Sequence, residues 1–301
     1  MKKILCFILA LTLLIPNAFA VNVFNKDKPA GTDVFNVSDG DLRTNNSALV
    51  ESLLNNKGFT NLKVTTAASA TTLTVTADNL MLQMASSISY GAVSVNESIA
   101  ITTSGASGLV TALTEAANTI YYVWIARKSA DGTINGYLST ASDLTTLLTQ
   151  VDSGYDQAAL VSVVGNDGSS NFLDFTQDGR EYWFATWPTV ATGAPGVGSW
   201  TAIDLTPSTL SFFVPTALST VVRGSFLKVG TTGVYGYISN VGVGTPSSSS
   251  ASNQIFNAEG SNISQFWEFN VITTDTIYWA VSSSGGVTGT IALAGFTLNK
   301  L

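Results

Sequence analysis

Four aromatic side chains gather around a loop rich in glycine and proline, residues 192–198, and these are Tyr182, Trp183, Trp187 and Trp200. In a strand, Trp183 and Trp187 point to one face, and Tyr182 and Phe184 point to the other. An exposed face of this kind offers rings on which a sugar stacks. The alternative is that both faces are buried, one in a core and one against a neighbouring domain or subunit. These four residues are therefore the candidate ligand-binding residues.

Acidic residues form the second candidate group. Asp174, Asp178 and Glu181 flank the turn at residues 177–180, and glycan hydrolysis needs two carboxyl groups at a set separation. Acids at turns and strand ends explain the same cluster, so no catalytic residue is assigned. Residues 39–41 and 166–168 offer oxygens for Ca²⁺ but lack the spacing of an EF-hand loop. Helix capping and turn formation account for both, and we expect neither metal nor cofactor.

The overall composition excludes further chemistry. The 301 residues contain no His, which excludes a Ser-His-Asp triad, an imidazole metal site and a histidine pH switch. Thirteen Lys and Arg stand against 20 Asp and Glu, for a net charge of −7. Nucleic-acid affinity depends on clustered basic residues, so nucleic acid is not an expected partner. The sequence thus predicts a protein that is not an enzyme.

The first 20 residues read as a secretory signal peptide. Lys2 and Lys3 precede an apolar run over residues 4–15, and small residues close the segment at Ala18 and Ala20. The run of about 12 residues is short of the roughly 20 that span a bilayer. We expect cleavage after Ala20, export from the cytoplasm and no membrane span. The single cysteine, Cys6, is lost with this segment, so no disulfide is expected.

The remaining chain predicts a mainly β fold. One helix is expected over residues 39–56, where a capping box begins an apolar repeat of helical spacing that ends at Gly58. From Thr60 the period falls to two, and short runs between Gly, Asn and Asp turns predict antiparallel strands in a β-sandwich or jelly roll. The expected strands include residues 120–126, 134–138, 210–214 and 291–298. With a boundary placed near residue 180, the domains are 1–20, 21–58, 59–180 and 181–301.

Several short segments together resemble one protein family. Residues 25–32 and 37–49 are similar to the Pro-containing arm and the "IRxNNxALE" helix that begin many bacteriophage and prophage tail-fibre-like virion proteins. Farther along, pieces with the letters SGASGL, NTIYYVW, GYLS, SGY, GNDGSSNF and QDGR resemble that family in the same order, at residues 104–109, 118–124, 136–139, 153–155, 165–172 and 177–180. The resemblance covers about residues 24–230. The signal peptide departs from the family, because tailed-phage virion proteins are assembled in the host cytoplasm.

The resemblance implies a tail-fibre-like structural protein that binds a host receptor. Residues 21–58 would attach it, and a homo-oligomer, most simply a homotrimer, would bury the apolar stripe of the helix. The expected partners are a cell-surface glycan or protein receptor and other virion or surface-assembly subunits, with the protein extracellular or in a virion. The alternatives are a purely structural assembly component, a secreted bacterial surface adhesin and, third, a glycan hydrolase.

Recognition is expected at loops of the C-terminal β unit. The two longest irregular stretches are the loop at residues 192–198, beside Trp187 and Trp200, and a Ser-rich loop at residues 246–253. Loops on a rigid scaffold vary without disturbing the core. An acidic surface with few lysines disfavours anionic targets, so a neutral sugar bound through one aromatic platform is the expected ligand.

Overall fold

A computed structural model describes residues 58–84, 91–194, 197–215, 219–230, 236–239, 256–258, 263–270, 276–281, 288–299 and 301. The chain divides into two units, Met1–Gly58 and Phe59–Leu301, and the description concerns the second. The expected signal peptide, the helix over residues 39–56, the acids at 39–41 and the loop at 246–253 lie outside the described residues. Those expectations stay predictions.

The described part is mainly β, as predicted. Polar and apolar residues alternate along most strands, so one face of each is buried, as along Thr72–Met84, where Leu73, Val75 and Ala77 are buried between more exposed neighbours. The strands are β1 (Phe59–Thr60), β2 (Lys63–Thr65), β3 (Thr72–Met84), β4 (Gly91–Ala100), β5 (Gly108–Leu109), β6 (Ile120–Arg127), β7 (Ile134–Ser139), β8 (Gln157–Gly165), β9 (Phe175–Asp178), β10 (Glu181–Phe184), β11 (Thr189–Gly193), β12 (Thr201–Asp204), β13 (Ser219–Val229), β14 (Gly236–Ser239), β15 (Phe256–Ala258), β16 (Ile263–Asn270), β17 (Thr276–Val281) and β18 (Thr288–Leu298).

The strands form two sheets. The larger has 14 strands in the order β16-β13-β18-β10-β9-β2-β3-β8-β6-β7-β5, with β1 and β4 paired to β3 and β11 paired to β18. The smaller has four, in the order β12-β17-β14-β15. Among the described strand pairs, only β5 with β7 is parallel. The face of β13 that carries Phe226 meets the smaller sheet at Trp279 of β17, with ring centroids 6.4 Å apart.

One hydrophobic core runs through both halves of Phe59–Leu301. Its buried members come from strands on either side of residue 180, from Leu62 and Val64 to Phe296 and Leu298. At residue 180 itself, the hairpin of β9 and β10 brings Phe175 and Tyr182 into a stack with centroids 4.3 Å apart. The expected domain boundary near residue 180 therefore falls inside this shared core.

A second, smaller cluster lies beneath one helix, α1 (Leu144–Gln150). The helix begins at Asp143, whose side chain accepts a hydrogen bond from the Thr146 N–H at 2.8 Å, a common helix N-cap. Its buried Leu147 joins a cluster that includes Trp124 and Tyr137. The sequence pattern did not predict α1, although Asp143 is a recognisable capping residue.

Some of the expected strands differ from the structure. Residues 210–214 are irregular chain rather than a strand, although Leu210, Phe212, Phe213 and Val214 are all buried. Because Phe212, Phe213 and Val214 are buried one after another, the apolar content of the run does not distinguish a strand from an irregular buried segment. The aromatic strand expected over residues 182–187 ends early, at Phe184.

Candidate functional site

The predicted aromatic residues begin on β10, which has one buried and one outward face. Tyr182 and Phe184 are buried, whereas Glu181 and Trp183 on the other face are half-buried. The turn from β9 needs Gly179, whose φ of 61° is costly for other residues. Because the strand ends at Phe184, Trp187 does not continue the face of Trp183. It lies in the segment that leads to β11.

Tyr182 is a core residue. Its ring lies between Phe175 and Phe296, with centroid distances of 4.3 and 4.2 Å and nearly parallel planes. Its hydroxyl is buried and has no hydrogen-bond partner among the described residues. Burial, and then the nearby charge of Asp174, raise the pKa of this phenol well above its usual value. Tyr182 is therefore placed to stabilise the core and does not reach a ligand at the surface.

Trp183, on the outward face, is covered by a cation. The guanidinium carbon of Arg223 lies 4.7 Å from the Trp183 ring centroid, an arrangement favoured by the negative charge on the ring face. Arg223 is only 5% exposed. Its Nε donates to Glu268 at 3.1 Å, one terminal nitrogen to Thr297 at 2.7 Å and the other to Glu181.

These residues form a polar row across four strands, which we define as Glu268, Arg223, Thr297 and Glu181. The register explains the row: Arg223 on β13 is opposite Glu268 on β16 and Gly295 on β18, and Gly295 is in turn opposite Trp183 on β10. Glycine leaves no side chain between the guanidinium and the Trp183 ring. The backbone also requires glycine there, since a Cβ would lie 1.9 Å from the carbonyl oxygen of Tyr182.

Two exposed aromatic rings lie beside this row. Trp187 is 44% exposed and Phe266 on β16 is 52% exposed, with ring centroids 6.3 Å apart. The register aligns Phe266 with Ser225, Ser225 with Ala292 and Ala292 with Thr189, two residues beyond Trp187. We call Trp187 and Phe266 the aromatic patch. The local sequence pattern did not reveal the part of Phe266 in this surface, because the two residues meet only through the pairing of distant strands.

Trp200 lies apart from the aromatic patch. It is half-buried just before β12, and its indole Nε1 is buried without a hydrogen-bond partner in the described part of the chain. Among the described residues, no ring contact joins it to Trp183 or Trp187. The structure thus brings Trp187 to the surface with Phe266, places Trp183 under Arg223, buries Tyr182 and keeps Trp200 separate.

The carboxylate cluster has structural partners. Asp178 and Glu181 are opposite one another in the hairpin of β9 and β10, and Glu181 accepts hydrogen bonds from Arg223 and Thr297. At the second candidate calcium segment, the Asp167 carboxylate accepts the backbone N–H groups of Ser169 and Asn171 at 2.8 and 2.9 Å. Within the described ranges, no group of three or more acidic, His or Cys side chains is arranged to hold a metal ion.

The family-like segments supply turns and buried hydrogen bonds. Asp152, next to the SGY segment, accepts from Ala106 N–H and from the hydroxyls of Thr111 and Tyr137, and so ties down the loop of the SGASGL segment. In the QDGR segment, Gln177 is buried and bonds Ser162, the Val161 carbonyl and the Gly179 carbonyl. These segments therefore act in folding, and the exposed aromatic patch lies outside them.

No protein-family model matches this chain, and a search of curated proteins finds no match. Within the part of the chain that the structure describes, no helix has the length and apolar character needed to cross a bilayer. The geometry of the aromatic patch and polar row is therefore the basis for the functional argument.

Proposed function

We propose that this chain is a tail-fibre-like structural and receptor-binding protein, non-enzymatic, that binds a cell-surface glycan through the aromatic patch. The observation that carries the proposal is the pair of large rings, Trp187 and Phe266, exposed side by side on the outer face of a sheet. The phage or prophage origin rests on the resemblance of residues 24–230 alone. Export rests on the signal sequence alone.

Exposed rings on a rigid sheet suit sugar binding for two reasons. A ligand that covers the two adjacent rings removes their apolar surface from water, and this burial stabilises the complex by about 25 cal/mol for each Å². Rings also have few rotatable bonds, so little side-chain entropy is lost when they are covered. The flat apolar face of a pyranose matches such a surface, and its hydroxyls then need polar partners at the rim, which the polar row supplies.

The proposal includes a β-sandwich or jelly-roll arrangement and a homotrimer. Support for the sandwich comes from the antiparallel pairing and from the contact of Phe226 with Trp279 between the two sheets. The trimer rests on the expected helix over residues 39–56 and on the resemblance. Light scattering on residues 21–301 tests it, and a monomer at micromolar concentration would reject it.

A second candidate function is structural assembly without a ligand. It is favoured by Leu227 and Val229, which are exposed on β13 next to β16 and extend the apolar surface beyond the aromatic patch. A surface of exposed aliphatic side chains is typical of a contact between subunits. Leu227 therefore provides the variant that separates assembly from glycan binding.

The test compares Trp187→Ala, Phe266→Ala and Leu227→Ala on a glycan array and by light scattering. If the patch is the binding site, each aromatic variant weakens glycan binding by about 1–3 kcal/mol, while Leu227→Ala binds normally. All three should stay folded, because the side chains are partly exposed and such changes usually cost little. Normal glycan binding by both folded aromatic variants would reject the site. If the wild type binds no glycan and Leu227→Ala loses the oligomer, the assembly function is favoured.

A further inference from the structure

The outward face of β16 places a carboxylate next to the aromatic patch. Phe266 and Glu268 are two residues apart on this strand, so their side chains share a face about 7 Å apart along the strand. The Glu268 side chain is 52% exposed. A sugar ring stacked on Phe266 and Trp187 would therefore present its rim hydroxyls to Glu268.

Glu268 is also held in place. Its Oε2 accepts the 3.1 Å hydrogen bond from Arg223 Nε, and Arg223 is in turn fixed by Glu181, Thr297 and the ring of Trp183. Among the described contacts, the second oxygen of Glu268 has no partner. An acceptor fixed in position in this way pays little entropy when it binds a hydroxyl, and a charged acceptor makes a stronger hydrogen bond than a neutral one.

The charges of the row determine which ligands it accepts. Two carboxylates, Glu181 and Glu268, flank a single guanidinium, so the row is negative overall. Arg223 itself is shielded from an anion, because it is only 5% exposed, each of its nitrogens donates within the row and its face is covered by Trp183. A ligand carboxylate at this position would meet a like charge, and the polar row offers it no free cation.

We infer that Glu268, positioned by Arg223, is the specificity-determining residue of the glycan site: it accepts a hydroxyl of an uncharged sugar stacked on the aromatic patch and excludes acidic sugars. This inference rests on the proposed function. Glu268 thus has two roles: it accepts the hydrogen bond from the sugar, and its charge repels acidic sugars.

The experiment uses the full chain on an array that carries neutral hexose oligosaccharides and matched oligosaccharides containing uronic or sialic acid. Glu268→Gln should weaken binding of the neutral sugars about 10-fold or more, the usual worth of a hydrogen bond to a charged group, and should raise the relative binding of acidic sugars. Glu268→Asp keeps the charge but shortens the reach, so it should lose affinity for neutral sugars and still exclude acidic ones. Glu115→Gln, which removes the same charge between β5 and β6, is the control and should bind as the wild type does.

The outcomes separate this inference from the proposed function. If Trp187→Ala loses neutral-sugar binding while both Glu268 variants bind as the wild type does, the glycan site stands and the role of Glu268 is rejected. A wild type that prefers acidic glycans also overturns the inference. If the wild type binds no glycan at all, the proposed function itself is rejected. Circular dichroism checks that each variant is folded, and if Glu268→Gln is not, the Glu268→Asp result decides.

Discussion

Removing one oxygen atom from the core should make this protein more stable. The Tyr182 hydroxyl is buried without a described partner, and such a group costs about 1–3 kcal/mol relative to its hydrated state. Tyr182→Phe removes this cost while keeping the ring between Phe175 and Phe296. The small void left by the oxygen offsets part of the gain. We expect the free energy of unfolding to rise by about 1 kcal/mol, or roughly 2–4 °C in melting temperature for a unit of this size.

Tyr121→Phe is the matched control. The Tyr121 ring is as deeply buried, but its hydroxyl accepts from the Ala116 N–H at 2.9 Å and donates to the Ala116 carbonyl at 3.2 Å. Losing these bonds should lower the free energy of unfolding by about 0.5–1.5 kcal/mol. Urea unfolding followed by circular dichroism measures both variants. If Tyr182→Phe is destabilised as much as Tyr121→Phe, the Tyr182 hydroxyl has a partner and the reasoning is wrong.

The same phenol predicts a dependence on alkaline pH. Burial raises the pKa of Tyr182 in the folded state, whereas an unfolded chain has a tyrosine pKa of about 10. The folded state therefore holds this proton more tightly than the unfolded chain does, so the free energy of unfolding keeps its full value below pH ~10 and falls as the pH rises further. The free energy of unfolding of the wild type should fall more steeply above pH ~10 than that of Tyr182→Phe. Parallel slopes would contradict this.

Two further predictions concern the helix cap and a glycine. The hydrogen bond from the Thr146 N–H lowers the pKa of the exposed Asp143 carboxyl below 3.8. The stability that the Asp143 carboxylate contributes is therefore present above the ordinary carboxyl pKa and is lost as the pH falls through the lowered pKa. Asp143→Ala should be less stable than the wild type at pH 7 in urea unfolding, and the difference should vanish in acid. Gly295→Ala should lower the free energy of unfolding by about 3 kcal/mol or prevent folding, because its Cβ meets the carbonyl oxygen of Tyr182. Gly58→Ala, with nothing within 4 Å of its Cβ, should be close to neutral, and equal effects of the two would refute the steric argument.

Period and composition predicted the mainly β fold because most of the strands have one buried face. The alternation along β3 and β18 is a local property that the sequence displays directly. Residues 210–214 are the counterexample, since three consecutive buried residues, Phe212, Phe213 and Val214, show no period of two. The missed α1 is seven residues long, too short for an apolar repeat to identify it.

The candidate site could be predicted only in part. Trp187 was identified from its position beside a Gly/Pro loop, but its partner Phe266 comes from a strand many residues later. Arg223 and Glu268 are likewise joined by strand register, although they lie 45 positions apart in sequence. Register depends on how all the strands pair, so a local pattern of residue types does not reveal such a surface.

The position of β18 has a consequence for how the chain folds during synthesis. β18 is the last described strand in sequence, yet it lies between β13 and β10 and also pairs with β11. Glu181 on β10 contacts Thr297, which lies 116 positions later in the sequence. At 5–20 residues per second, synthesis of that stretch takes about 6–23 s. During that interval the edge of β10 that pairs with β18 has no partner strand. Folding of this half is thus postponed until β18 has been synthesised, and a chain interrupted before β18 would expose an aggregation-prone edge.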